Sequence, residues 1–117
     1  MDNEPMRVLL VEDNPGDVRL LRETLRDARG GQVSITHVVR LEDALAQLAQ
    51  GGFDVVLLDL SLPDASGLET VSRTVTASPQ VPIVVLTGLN DEQAAMRALR
   101  QGAQDYLVKG QGDGELV

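Results

Sequence analysis

The sequence predicts an α/β domain, a five-stranded parallel sheet doubly wound by helices, and three observations predict it. Five short runs rich in Val, Leu and Ile alternate with four segments whose apolar residues recur at three-to-four spacing. The runs at Val8–Val11 and Val55–Leu58 are continuously apolar rather than alternating, as in strands buried on both faces. Glycine, Pro-Gly or Pro-Asp punctuation separates the segments, so the connections are short.

Residues 1–5 are polar and are expected to form a disordered tail. Arg7–Val11 is the first strand and ends at two acids, Glu12 and Asp13. Asn14 is the expected cap of the first helix, with Pro15 at its first position. That helix places Val18, Leu21, Leu25 and Ala28 on one face, and Gly30-Gly31 ends it. Arg19, Arg22, Arg26 and Arg29 share another stripe, expected to be a solvated face partly paired with Glu23 and Asp27, with kinase docking left open. Val33–Val38 alternates, as an edge strand would; its His37, the sole histidine, is expected to be structural and far from the acids.

The second helix runs from about Leu41 to Gln50, burying Leu41, Ala44, Leu45 and Leu48, and stops at Gly51-Gly52. The third strand follows and ends at Asp59, with a Pro63-Asp64 turn beyond it. A third helix over about 67–77 buries Leu68, Val71 and Val75, with Ser66 as its expected cap. Pro82–Thr87 is the fourth strand, and Gly88 follows it. A fourth helix over 91–101 turns Ala95, Ala98 and Leu99 inward. Gln104–Lys109 is the fifth strand, and residues 113–117 offer only the start of a truncated fifth helix. Either the chain is cut short here or the protein continues into an output domain, and a truncated fifth helix is expected to expose apolar surface on strands 1 and 5, favouring a homodimer.

Composition narrows the function. The 117 residues fit one domain, and 43% hydrophobic with 24% charged is ordinary for a globular protein. No apolar run approaches the ~20 residues that span a bilayer, so no membrane role is expected. Absent cysteines exclude disulfides and thiol chemistry and suit a cytoplasmic protein. A net charge of −8 and only two aromatics, Phe53 and Tyr106, argue against direct nucleic-acid binding.

Short crossovers and five strands suggest the flavodoxin-like order 2-1-3-4-5, in which ligands sit beyond the carboxyl ends of the strands. Glu12-Asp13 and Asp59 then converge, with Thr87 and Lys109 at the same edge. Three carboxylates together repel one another, and Mg²⁺ is a hard oxygen-seeking cation that would compensate them. Asp13 and Asp59 are the expected direct ligands, with Glu12 acting through water and the Ser61 backbone carbonyl completing the set. Asp59 is the expected nucleophile toward a phosphoryl donor. Lys109 would neutralise the transferred group, and Thr87 would donate its hydroxyl to it.

With Glu12-Asp13, Asp59, Thr87, Tyr106 and Lys109 each near a strand end, the chain from about Arg7 to Lys109 resembles the receiver domains of two-component response regulators. The resemblance implies one receiver domain over 1–117, a signalling module rather than an enzyme on other substrates. It implies Asp59 as phosphoacceptor, a histidine kinase or phosphotransfer protein as donor, and catalysis of its own phosphorylation and hydrolysis. It implies a switch in which Thr87 turns toward the phosphoryl group and Tyr106 rotates inward, repacking helix 4, strand 5 and helix 5 toward an output domain or partner. One departure stands out: Gly110 follows Lys109 where the family usually carries a cis-joined proline, so a trans bond and a looser loop are expected there.

Other functions fit less well. A haloacid-dehalogenase-type phosphatase needs an acid two residues after its nucleophile, and here that residue is Ser61. A flavin carrier needs a phosphate loop and aromatics, whereas Asn14-Pro15-Gly16-Asp17 is acidic. A degenerate receiver used only for docking would have no need of the full acidic set.

Overall fold

The computed structural model describes residues 5–30, 32–88 and 91–109. Its main elements are β1 (Met6–Val11), α1 (Pro15–Arg29), β2 (Val33–Val38), α2 (Leu41–Gln50), β3 (Val55–Asp59), α3 (Leu68–Ala77), β4 (Ile83–Thr87), α4 (Glu92–Arg100) and β5 (Asp105–Val108). The five strands are all parallel, in the order 2-1-3-4-5. The doubly wound architecture read from the alternating segments is therefore the one observed. A short antiparallel ladder, Ser61–Leu62 against Ala65–Ser66, was not foreseen; the Pro63-Asp64 turn closes it.

Successive residues of a strand point to opposite faces, and β1 divides its side chains accordingly. Leu9 and Val11 join a core packed by Leu41, Ala44 and Leu48 of α2, Val71 of α3 and Ala98 of α4. Val8 and Leu10 face the other way, against Val18 and Leu21 of α1. Because β1 and β3 are central, both their faces are covered, which explains their unbroken apolar runs. The apolar exposure expected on strand 1 is not found: Val8 and Leu10 are fully buried, since α1 lies over them. Leu107 of β5 is half-buried.

Local chemistry accounts for the helix ends. The Asn14 side chain accepts the N–H groups of Gly16 and Asp17, and Gly30 closes α1 in the left-handed region at φ 61°. The cap position of α3 falls on Gly67, without a side-chain bond, and Ser66 lies in the short ladder instead. Within α3 the buried residues are Thr70, Val71 and Thr74, while Leu68 and Val75 are half-buried. Thr74 can go inside because its hydroxyl donates to the Thr70 carbonyl at 2.8 Å. Ala28, placed on the inner face of α1 by its spacing, is exposed, and the helix is anchored by Val18 and Leu21 instead. Leu45 and Leu99, also expected inward, are half-buried. Of the arginine stripe, Arg19 and Arg26 are exposed and Arg22 is half-buried. The tail at 1–4, the Lys109–Gly110 bond and the start of a fifth helix lie outside the described residues.

Candidate functional site

The carboxyl ends of β1 and β3 are neighbours in register, Val11 beside Leu58, so the residues just beyond each strand meet at one edge. Glu12, Asp13 and Asp59 each turn a carboxylate oxygen to within 4.8 Å of the others. Glu12 is fully buried and Asp59 nearly so, whereas Asp13 is exposed. At the other side, Lys109 leaves β5 with its N–H donating to the Thr87 carbonyl at 2.8 Å. Its ammonium reaches back across the sheet edge to Glu12 Oε1 at 2.9 Å, Asp17 Oδ2 at 3.2 Å and Asp59 Oδ1 at 3.3 Å.

Three carboxylates therefore surround one cation, with that of Asp13 close by. Burial works against the charged Lys109 ammonium, but the combined pull of Glu12, Asp59 and Asp17 outweighs it and holds its pKa above the ordinary lysine value. Glu12 responds in the opposite sense to an isolated ion pair. Burial pushes it up to about 7, and the neighbouring Asp59 charge adds to the rise, against the downward pull of the ammonium at 2.9 Å. Among the described residues the Lys109 ammonium is the one partner of this buried Glu12 Oε1. Clustered carboxylates that outnumber the one ammonium among them are what a hard divalent cation with oxygen ligands would satisfy. The residues present thus fit a metal such as Mg²⁺.

The other predicted residues lie around this edge. The Ser61 N–H donates to Asp59 Oδ1 at 3.3 Å. Thr87 is buried and its hydroxyl makes a long bond of 3.4 Å to the Leu107 carbonyl. A cleft of about 350 Å³ opens here, lined by Asp59, Ser61, Thr87, Gly88, Asp91 and Lys109 among others. Tyr106 is half-buried on β5 and packs against the core beneath α2, α3 and α4.

Two participants escaped the sequence reading. Asp17 sits in the first turn of α1; a helix that starts three residues after Glu12 must hold its first turn against the same edge, and that was the available signal. His37 is not remote from the acids, because its Nε2 lies 2.7 Å from the Glu12 backbone carbonyl. It reaches them across the strand pair, which sequence separation does not display. Glu12 itself, expected to act through a metal-bound water, also stands against Lys109 at 2.9 Å.

Comparison with known proteins agrees with this architecture. The response regulator receiver domain family matches residues 8–117, and the chain belongs to that family. It is 36% identical over 104 residues to the swarming motility regulation protein RssB of Serratia marcescens, covering 89% of this chain and 46% of RssB. The chain spans about half the length, or less, of the curated relatives it matches. Among solved structures it resembles a putative response regulator from Chloroflexus aurantiacus, with 28% identity, a TM-score of 0.80, and coverage of 91% of this chain and 86% of that one. It also resembles the receiver domain in the complex of the Saccharomyces cerevisiae histidine phosphotransfer protein Ypd1 with the response regulator Ssk1, at 29% identity and a TM-score of 0.75, covering 91% and 79%. The chain is a receiver domain of a two-component response regulator, a signalling domain. Among the described residues no helix is long and apolar enough to cross a membrane.

Proposed function

We propose that this receiver domain accepts a phosphoryl group on Asp59 from the phosphohistidine of a histidine kinase or phosphotransfer protein. The carrying observation is the convergence of the Glu12, Asp13 and Asp59 carboxylates within 4.8 Å, with the Lys109 ammonium 3.3 Å from Asp59. Similarity to a receiver solved with a histidine phosphotransfer protein supports the class of donor.

In the transfer, an Asp59 carboxylate oxygen forms a bond to phosphorus as the phosphorus–nitrogen bond to the donor imidazole breaks. Lys109, already drawn toward Asp59, would neutralise a phosphoryl oxygen, and the Thr87 hydroxyl would exchange its weak bond to Leu107 for one to the new group. Asp13, Asp59 and the Ser61 backbone carbonyl would hold Mg²⁺, with Glu12 alongside. Bound there, the ion would supply positive charge to the phosphoryl oxygens during transfer and hydrolysis. Turning Thr87 inward would leave space that Tyr106, on the neighbouring strand β5, would fill. That would repack α4, β5 and a fifth helix toward an output domain, a partner or a second copy. A shift from 1:99 to 99:1 requires a differential of about 5.5 kcal/mol, which a dianion seen by Lys109 and Thr87 in only one state could provide. On this reading residues 1–117 form one cytoplasmic receiver module that catalyses only its own phosphorylation and dephosphorylation.

Beryllofluoride with Mg²⁺ tests the proposal as a phosphoryl mimic. Amide resonances around Asp59, Thr87 and Tyr106 should shift on its addition, and Asp59→Asn should abolish the response. A wild-type domain indifferent to beryllofluoride at millimolar Mg²⁺ would sink it.

A further inference from the structure

We propose that His37 is a positioning residue for the acidic pair, clamping the peptide unit that joins Glu12 to Asp13 so that both carboxylates face a divalent cation. This rests on the receiver reading above. The backbone ladder of β1 and β2 ends at the Val11–Val38 pair, and the Glu12 N–H still donates to the Val38 carbonyl at 3.1 Å. The next rung would need a donor from β2 for the Glu12 carbonyl, but the chain bends at Val39 and Arg40 to enter α2. The His37 ring fills that rung, with Nε2 at 2.7 Å from the Glu12 oxygen. A carbonyl only accepts, so Nε2 carries the proton.

That carbonyl belongs to the peptide plane between the two acids. Fixing the plane fixes the direction in which the chain delivers Asp13, and the Asn14 N–H holds Glu12 Oε2 at 3.1 Å from the other side. Without the imidazole, the plane could rotate at the end of β1 and carry the carboxylates out of register with Asp59. Glu12 is fully buried, so water competes poorly for its carbonyl. Groups that orient metal ligands in this way typically alter metal affinity by 10–100-fold when removed.

The experiment measures the Mg²⁺ dissociation constant and the metal-free thermal midpoint of the whole chain for wild type and four variants. His37→Phe keeps a ring but lacks the donor and should weaken Mg²⁺ about tenfold. His37→Gln places an amide N–H near the Nε2 position and should stay within about threefold of wild type. His37→Asn, whose amide stops short of that position, should behave like His37→Phe and carries the test should the latter not fold. Thr36→Ala, one residue away on the same strand, should leave Mg²⁺ binding unchanged. Unaltered affinity in His37→Phe and His37→Asn overturns the inference, as does an equal loss in His37→Gln or Thr36→Ala. A wild type that fails to bind Mg²⁺ overturns the receiver reading first and this inference with it.

Discussion

Lys109 Nζ lies 3.2 Å from Asp17 Oδ2, so a residue in the first turn of α1 competes with the proposed phosphoacceptor Asp59 for the same ammonium. Both partners are largely shielded, with side-chain exposures of 19% and 26%. On the proposed function, a phosphoryl group on Asp59 would compete with Asp17 for Lys109. Asp17→Asn keeps the shape and removes the rival charge. Phosphorylation from a small donor such as acetyl phosphate should speed up a few-fold, at a stability cost within about 1 kcal/mol. Rates from phosphoprotein gels and midpoints from urea titration check both.

Removing the cation altogether should act in the opposite sense. Lys109→Met leaves Glu12, Asp17 and Asp59 facing one another at the sheet edge, so Mg²⁺ binding should tighten through added negative charge. Phosphoryl transfer should drop by about 100-fold or more, roughly 2.7 kcal/mol of lost transition-state stabilisation. Separate measurement of Mg²⁺ affinity and phosphorylation rate reveals the split.

Glu12 gives the site an unusual pH response. Its pKa is pushed up to about 7 by burial, above the ordinary 4.5, so the folded protein holds that proton more tightly than the unfolded chain. Its contribution to metal-free stability is therefore full below about pH 4.5 and is lost as pH rises through 7. A cation must displace the proton, so Mg²⁺ affinity should fall by up to about tenfold per pH unit below neutrality, with proton release on binding. Calorimetry in two buffers of different ionisation enthalpy measures that release, and Glu12→Gln should remove it.

Asp64 caps α2 from the far side of a loop, accepting the N–H of Leu41 at 2.8 Å and of Glu42 at 3.0 Å, where Arg40 at the cap position makes no side-chain bond. Asp64→Ala should cost about 1 kcal/mol. The Glu42 N–H first, then that of Leu41, holds the Asp64 carboxyl below its ordinary value of 3.8. Its stabilisation is thus present above that value and disappears as pH falls through the depressed one. Wild type and variant should therefore converge in urea midpoint once the pH is taken well below the ordinary carboxylate range.

Gly102 precedes β5 with φ 118°, and a methyl group there would meet Val75 Cγ2 at 3.1 Å. Gly102→Ala should destabilise by about 1–3 kcal/mol through backbone strain and crowding. Thermal unfolding checks the loss, and Mg²⁺ affinity should hold because the position lies at the opposite end of β5 from Lys109.

Sheet order, helix sequence and the gathering of Glu12, Asp13, Asp59 and Lys109 at one edge were legible in the residues alone. Continuous apolar runs belong to central parallel strands, and right-handed crossovers leave few ways to order them. The contacts between elements needed three dimensions. His37 meets Glu12 only because β2 lies beside β1 in register, and Asp17 meets Lys109 only because α1 begins where β5 ends. Asp64 caps a helix that starts 23 residues before it. Thr74 of α3 can be buried because its hydroxyl finds a carbonyl a turn away. Periodicity along a chain reports which face is apolar. It does not report which polar group crosses from one element to another, because that depends on distances set by the packing of the whole sheet.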